Sequence, residues 1–164
     1  MKRTIYLLVI GFLLTNCTHR IKRVGYDAKK DYYQFCDVVI NNNILINDSI
    51  FVKVGSITLG ESGFSTRCNE SDAIRILRGE ACTVNADLIV ITDEKRPDVV
   101  SSCYRCKADF YQFKSEDLAY TIKDDQQYEI QNTQSRVQKD RSTNATIIAA
   151  GFAIGFIIGL LMFQ

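Results

Sequence analysis

Cysteines are the residues of this 164-residue chain that are best suited to chemistry, and two of the six stand in the sequence Cys103-Tyr104-Arg105-Cys106. A C-x-x-C pair suits thiol redox chemistry when a helix N-terminus lowers the pKa of one thiol. Here the pair begins a β-strand pattern, which argues against that role. Side chains three apart on a strand point to opposite faces, so Cys103 and Cys106 are not expected to bond to each other.

A metal site and an enzyme active site are both poorly supported. Four sulfurs come from Cys68, Cys82, Cys103 and Cys106, but there is no second C-x-x-C, so a zinc site is weakly indicated. The one histidine, His19, lies in a basic stretch before the folded pattern, which argues against a Ser-His-Asp or Cys-His site. The acidic pairs Asp93-Glu94 and Asp124-Asp125 fall in polar loops and suit a solvated face. We therefore expect no catalysis, no metal and no other cofactor.

The N-terminus has the order of a secretory signal. Basic residues Lys2 and Arg3 precede an apolar run, Ile5 to Leu14, that is too short to span a bilayer of about 30 Å. The cysteine that follows, Cys17, resembles the acylated cysteine of the bacterial lipobox. Because Asn16 replaces the usual small residue, the signal is similar to the looser lipoprotein signals of Bacteroidetes. The alternative is an ordinary signal peptide with a chance cysteine.

This resemblance implies that residues 1–16 are removed, that Cys17 carries lipid such as palmitate, and that the domain lies in the bacterial cell envelope, outside the cytoplasm. Basic residues are frequent in the next segment, 17–30: Arg20, Lys22, Arg23, Lys29 and Lys30. They suit either contact with anionic headgroups or a soluble basic linker. The net charge of +1 argues against nucleic acid as a partner.

The C-terminus predicts a second membrane anchor. Residues 145–163 are 19 uncharged and mostly apolar residues, which as a helix extend about 28 Å. Within them Gly151, Gly155 and Gly159 share one helix face and resemble a glycine zipper, which predicts a homo-oligomer or a partner helix. Chance occurrence is the alternative. The basic residues before the segment fit a tail-anchored cytoplasmic protein, but that topology leaves the N-terminal apolar run unexplained.

Between the anchors, residues 31–122 carry the pattern of a folded α+β domain. Residues 50–58, 87–92 and 102–113 read as strands, and a helix begins at Asn69 or Ser71 and ends near Asn85. On the last strand, alternate residues from Tyr104 to Gln112 form the expected core side. We predict a sheet of about four strands covered by one helix, followed by a polar stem at 123–144 that is either flexible or helical.

The order of elements resembles a known envelope sensor. Gly55-Ser56-Ile57, a loop ending at Cys68, a helix, an apolar strand and Cys103-Tyr104-Arg105 are similar to the outer-membrane lipoprotein that senses envelope stress for the Rcs phosphorelay. The resemblance implies a Cys68–Cys103 disulfide. The second disulfide of that family does not transfer, because the 93–102 loop has no cysteine. Pairing of Cys82 with Cys106, which leaves Cys36 as the odd thiol, and buried free thiols remain as alternatives.

Three functions follow as hypotheses. The leading one is a non-enzymatic sensor or interaction module that is held by membrane lipids and binds another envelope protein. The second is a structural glycine-zipper oligomer in the membrane. The third and weakest is a thiol-redox or metal-binding protein that uses Cys103 and Cys106.

Overall fold

A computed structural model describes residues 17–27, 36–61, 65–98, 101–115 and 122–142. The predicted signal peptide, 1–16, and the predicted membrane segment, 145–163, with its three zipper glycines, lie outside the described residues. No helix within the described ranges is long and apolar enough to cross a membrane.

The strands and helices form an α+β fold. In chain order they are β1 (Cys17–Thr18), β2 (Arg20–Val24), β3 (Val39–Ile40), β4 (Phe51–Gly60), β5 (Ser65–Arg67), α1 (Glu70–Thr83), β6 (Leu88–Lys95), β7 (Arg105–Phe113), a 3-10 turn (Gln126–Tyr128) and α2 (130–142). Five strands form one sheet in the order β2-β4-β7-β6-β3, antiparallel except for the parallel pair β3 and β6. The predicted class is correct, but the sheet has one strand more than expected and a second helix follows it.

Helix α1 begins and ends where its sequence predicts. The Asn69 side chain accepts a hydrogen bond from the Asp72 amide at 3.0 Å and so caps the first turn. Two acidic residues of that turn, Glu70 and Asp72, interact favourably with the positive end of the helix dipole. The helix ends at Thr83, and Asn85 adopts a positive φ of 53°, a conformation that asparagine tolerates.

One face of α1 covers one face of the sheet and forms the core. From the helix come Ala73, Leu77 and Ala81, and from the sheet Ile57, Leu59, Ile89, Ile91, Ala108 and Phe110. The alternation along β7 predicts its core side correctly, since Tyr104, Cys106, Ala108 and Phe110 are buried. Along β4 the alternation is interrupted. Its register shifts between Lys53 and Gly55, so Phe51 is buried while Val52 is 44% exposed.

The segment interpreted as a basic linker contains an edge strand instead. Residues Arg20 to Val24 pair antiparallel with β4, from Arg20 opposite Gly60 to Val24 opposite Ser56. Its basic side chains do not predict a strand. The strand forms because its backbone pairs with β4. Charged residues on an edge strand also discourage pairing with other chains.

Gly55 on β4 lies beneath the Tyr26 ring, so replacing it with alanine is expected to destabilise the fold. A Cβ at this position would lie 2.5 Å from Tyr26 Cδ1, which forces the ring to move. We expect Gly55→Ala to lower the free energy of unfolding by about 2 kcal/mol, as overpacking of a buried site does. The measurement is the denaturant midpoint. Gly60→Ala is the control, because its Cβ would meet nothing nearer than the Arg20 carbonyl at 3.9 Å. Equal midpoints for the two variants would contradict the expectation.

Candidate functional site: two buried glutamates on one helix

Helix α1 carries a buried glutamate in its first turn and another near its end. Glu70 is 1% exposed and Glu80 is 6% exposed. A carboxylate is rarely buried unless a cation or hydrogen-bond donors accompany it. Each of these two carboxylates accepts hydrogen bonds from an arginine of a distant segment. Arg23, in the N-terminal part of the described chain, binds Glu80, and Arg136, in its C-terminal part, binds Glu70.

Three residues lie around the first of these carboxylates, and we call Glu70 together with Arg96, Arg136 and Asp140 the Glu70 clamp. Arg136 donates to Glu70 through Nε, at 3.1 Å to both carboxylate oxygens, and through Nη2, at 2.5 Å to Oε1. Arg96 Nη2 donates to Glu70 Oε2 at 2.9 Å and to Asp140 Oδ2 at 2.8 Å. The clamp thus joins the start of α1, the loop after β6 and helix α2.

Both arginines of the Glu70 clamp are held in the charged form. The hydrogen bond to Glu70 raises the pKa of Arg136 and outweighs its burial. Burial acts to lower the pKa of Arg96, but the hydrogen bonds to Asp140 and Glu70 outweigh it and raise that pKa. The Arg96 guanidinium also lies 5.9 Å from the centre of the Tyr104 ring, within reach of a cation–π contact.

Further contacts hold residues 122–142, which include most of the predicted polar stem at 123–144, against the rest of the structure. Asp124 accepts from the Ile40 amide at 2.7 Å and from Arg78 at 2.9 Å. Tyr128 is buried, and its hydroxyl accepts a hydrogen bond from Asn42 at 2.7 Å. The acidic pair at 124–125 was expected on a solvated face, whereas Asp124 in fact ties this segment to β3 and α1.

The second carboxylate binds the N-terminal part of the described chain, and we call Glu80, Arg23 and Tyr26 the Glu80 clamp. Arg23 donates to the two Glu80 oxygens at 2.7 and 2.5 Å, a bidentate geometry, and the Tyr26 hydroxyl donates at 3.0 Å. Burial, followed by the charge of Glu80, raises the pKa of Tyr26. The Tyr26 ring lies 5.7 Å from that of Phe110, so this clamp rests directly on the core.

His19 also differs from its expected place in a solvated linker. It precedes β2 and is buried. Burial lowers its pKa, against weaker opposing contributions from the backbones of Asn69 and Gly60 and from the charge of Asp72. The residues directly after Cys17 therefore pack against the start of α1. Cys17 itself, the predicted lipidation site, begins β1 and pairs with Ser65.

A groove runs between α1 and the docked segment. It has a volume of about 680 Å³, and its lining includes Ile74, Arg75 and Arg78 of α1 and Tyr128, Ile130 and Thr133 of the segment; we call it the α1–α2 groove. Ile130 is 76% exposed at this site. The buried Thr133 hydroxyl has no hydrogen-bond partner within the described ranges. Because Asp124 and Glu129 also line it, the groove combines apolar, cationic and acidic side chains at the exposed side of α1.

The cysteines form two disulfides, one of which the resemblance implied. Cys68 bonds to Cys103, and Cys36 bonds to Cys82, while Cys106 is free and buried. The alternative pair of Cys82 with Cys106 is wrong, and so is Cys36 as the odd thiol. The reason is the direction of α1 along β7: the Tyr104 amide bonds to Cys68 before the helix, and the Gln112 side chain bonds to Asn85 after it. Cys106 therefore lies at the opposite end of α1 from Cys82.

The free thiol is expected to be unreactive in the folded chain. Burial raises the pKa of Cys106 to about 12, and its side chain is 3% exposed. At pH 8 such a thiol has about a thousandfold less thiolate than an unperturbed one. Thiol counting on the unreduced chain should find Cys106 only after denaturation. Cys17 adds one thiol to the count if it carries no acyl group. Rapid labelling of Cys106 in the native chain would contradict this.

Sequence reasoning missed both clamps. Glu70, Arg96 and Arg136 are far apart in the chain and resemble ordinary surface charges. The only local signal is the spacing of Thr133 and Val137 on α2, both buried, which gives α2 a narrow inner face. No group of three or more His, Cys, Asp or Glu residues with the geometry of a metal site occurs among the described residues.

Comparisons with models of protein families, with curated proteins and with solved structures find no match to this chain.

Proposed function

We propose that this chain is a non-enzymatic sensor or protein-interaction module of the bacterial cell envelope, anchored through an acylated Cys17 and a membrane helix at 145–163. Its partner in this proposal is another envelope protein. The observation that carries the proposal is the Glu70 clamp, because it docks α2 on the domain just before the predicted membrane helix begins.

The two clamps connect the first and last described segments of the chain to one helix. The Glu80 clamp holds the segment that follows Cys17, and the Glu70 clamp holds the segment that precedes residue 145. Any displacement of either anchor relative to the domain therefore acts on α1. Because the α1–α2 groove has walls from both α1 and the docked segment, a ligand in the groove senses whether that segment is docked. Binding and docking are thus linked equilibria, as a sensor requires.

Site-specific photo-crosslinking in intact bacteria tests the proposal. A crosslinker at Ile130, beside the groove, is expected to give one adduct with a different protein, because a bound partner contacts this exposed side chain. Leu45 is the matched control, an aliphatic residue that is 92% exposed and is not among the groove residues. The Ile130 adduct should persist when residues 145–163 are deleted. No adduct, or equal adducts from both positions, would contradict the proposal.

The second candidate is a structural oligomer built on the glycine zipper. The three glycines at four-residue spacing favour it, since small residues on one face let membrane helices pack closely. In this case the Ile130 crosslinker links the chain to itself, and deletion of residues 145–163 abolishes the adduct. The same experiment therefore separates the two functions.

A further inference from the structure

The face of the sheet that points away from α1 is basic at one end. Because Cys106 and Ala108 face the helix, the neighbouring Arg105 and Lys107 point to this open face. Lys107 lies opposite both Thr58 and Asp93, and Thr58 lies opposite Lys22. These pairings form one continuous row across four strands.

A second row lies beside the first. Arg105 is opposite Lys95, and Arg20 is opposite Gly60 at the end of β4. Together the two rows place five basic side chains on the open face and one acidic one: Arg20, Lys22, Lys95, Arg105, Lys107 and Asp93. We call these residues the basic rows.

Part of this charge is neutralised within the domain. Lys107 pairs with Asp93 at 3.2 Å, and Arg105 contacts Asp98 at 3.1 Å and Glu61 at 3.9 Å. Arg20, Lys22 and Lys95 are exposed and form no ion pair with any residue in the described ranges. The basic rows therefore carry three charges that no residue of the described ranges neutralises.

The basic rows lie at the same end of the sheet as Cys17. Arg20 follows Cys17 by three residues, about 10 Å of extended chain. Farther along the open face the charge is balanced: Asp109 pairs with Lys53 at 2.7 Å, and Val24 and Ser56 are uncharged. The unbalanced positive charge is thus confined to the end that the predicted anchor holds at the membrane.

We propose that the basic rows lie on the anionic headgroup surface of the membrane that holds Cys17, with the open face of the sheet toward the lipid and α1 away from it. An anionic surface attracts basic residues that lie within about one Debye length of it. The short extended segment between Cys17 and Arg20 keeps the basic rows within that distance. This orientation leaves the α1–α2 groove facing away from the membrane and open to a partner. The inference rests on the proposed membrane anchoring.

Lysine footprinting of the full chain in vesicles tests the orientation. The chain is reconstituted in phosphatidylcholine vesicles with or without phosphatidylglycerol and treated with a membrane-impermeant amine reagent. In the anionic vesicles we expect the modification of Lys22, Lys95 and Lys107 to slow about fivefold, the factor that corresponds to about 1 kcal/mol per basic residue near an anionic surface. Raising the salt to 0.5 M should restore it. The internal reference is Lys123, which is exposed. It lies in the segment 122–125, next to Asp124, whose side chain pairs with Arg78 of α1.

A charge-reversal variant gives the proposal a sharper test. Arg20→Glu with Lys22→Glu is expected to abolish the protection of Lys95 and Lys107, whereas Arg75→Glu on the exposed side of α1 leaves it intact. Equal reactivity in neutral and anionic vesicles, or protection of Lys123 together with the other lysines, would overturn the proposal. Crosslinking at Ile130 does not depend on lipid charge, so this orientation and the proposed function fail separately.

Discussion

Replacing Cys68 and Cys103 together by alanine is expected to lower the free energy of unfolding by about 4 kcal/mol. The disulfide joins residues 35 apart, and closing a loop of that length in the unfolded chain has about this effect in the chain-entropy model. The bond also connects two segments on which the fold depends, the residue before the cap of α1 and the start of β7. Urea unfolding of the full chain in detergent micelles measures the change.

The control for this variant is Cys106→Ala. Both cysteines of the disulfide are buried, so the double variant loses packing as well as the cross-link. Cys106 is likewise buried but forms no disulfide, so its replacement costs only packing, about 1 kcal/mol. An equal loss of unfolding free energy in the two variants would mean that the disulfide stabilises the fold only through the packing of its atoms and not as a cross-link. The double variant should have a lower midpoint, and its free energy of unfolding should also fall more steeply with urea concentration. The steeper slope is expected because the unfolded chain without the cross-link is more expanded.

The parts of this fold that the sequence predicts are those with local causes. Helix α1 follows from the cap at Asn69 and from apolar residues at three- and four-residue spacing. The core side of β7 follows from alternation between Tyr104 and Phe110. In both cases the residues that decide the structure are near neighbours in the chain, so the pattern is visible without knowledge of the partners.

What the sequence did not predict depends on distant residues. Strand β2 exists because β4 offers it an edge, and its own residues, Arg20 to Val24, are mostly charged. The docking of 122–142 depends on a carboxylate at position 70. The pairing of Cys36 with Cys82 depends on the direction in which α1 crosses the sheet, which local patterns do not specify.

Buried charges explain why a polar segment can dock at all. The sequence from 123 to 144 has few apolar residues, so burial of hydrophobic surface contributes little to its attachment beyond Tyr128 and Val137. A buried ion pair is stabilising only with good geometry and saturated hydrogen bonds, and it is sensitive to the loss of any member. The Glu70 clamp meets these conditions, so the docking of this segment is sensitive to the loss of any one of its members.

Arg136→Met is therefore expected to destabilise the docked segment by about 2 to 3 kcal/mol. The change leaves Glu70 buried with Arg96 as its remaining cation, and loss of one partner of a buried pair has a large effect. The estimate lies just below the usual range of about 3 to 5 kcal/mol, because the Arg136 side chain is 28% exposed and solvent screens part of the interaction. Hydrogen exchange of the amides in 130–142 measures the effect, and these amides should exchange about a hundredfold faster.

A matched variant and a second-site change decide whether the buried carboxylate is the cause. Arg78→Met breaks an ion pair with Asp124 whose side chains are 34% and 36% exposed, so we expect less than about 1 kcal/mol. Adding Glu70→Gln to Arg136→Met should recover part of the lost stability, because the buried carboxylate that has lost one of its two arginines is then replaced by a neutral amide. Additive losses from these two changes would show that Arg136 acts through packing alone. Recovery of protection at 130–142 would show that the charge of Glu70 governs whether the segment before the predicted membrane helix is docked.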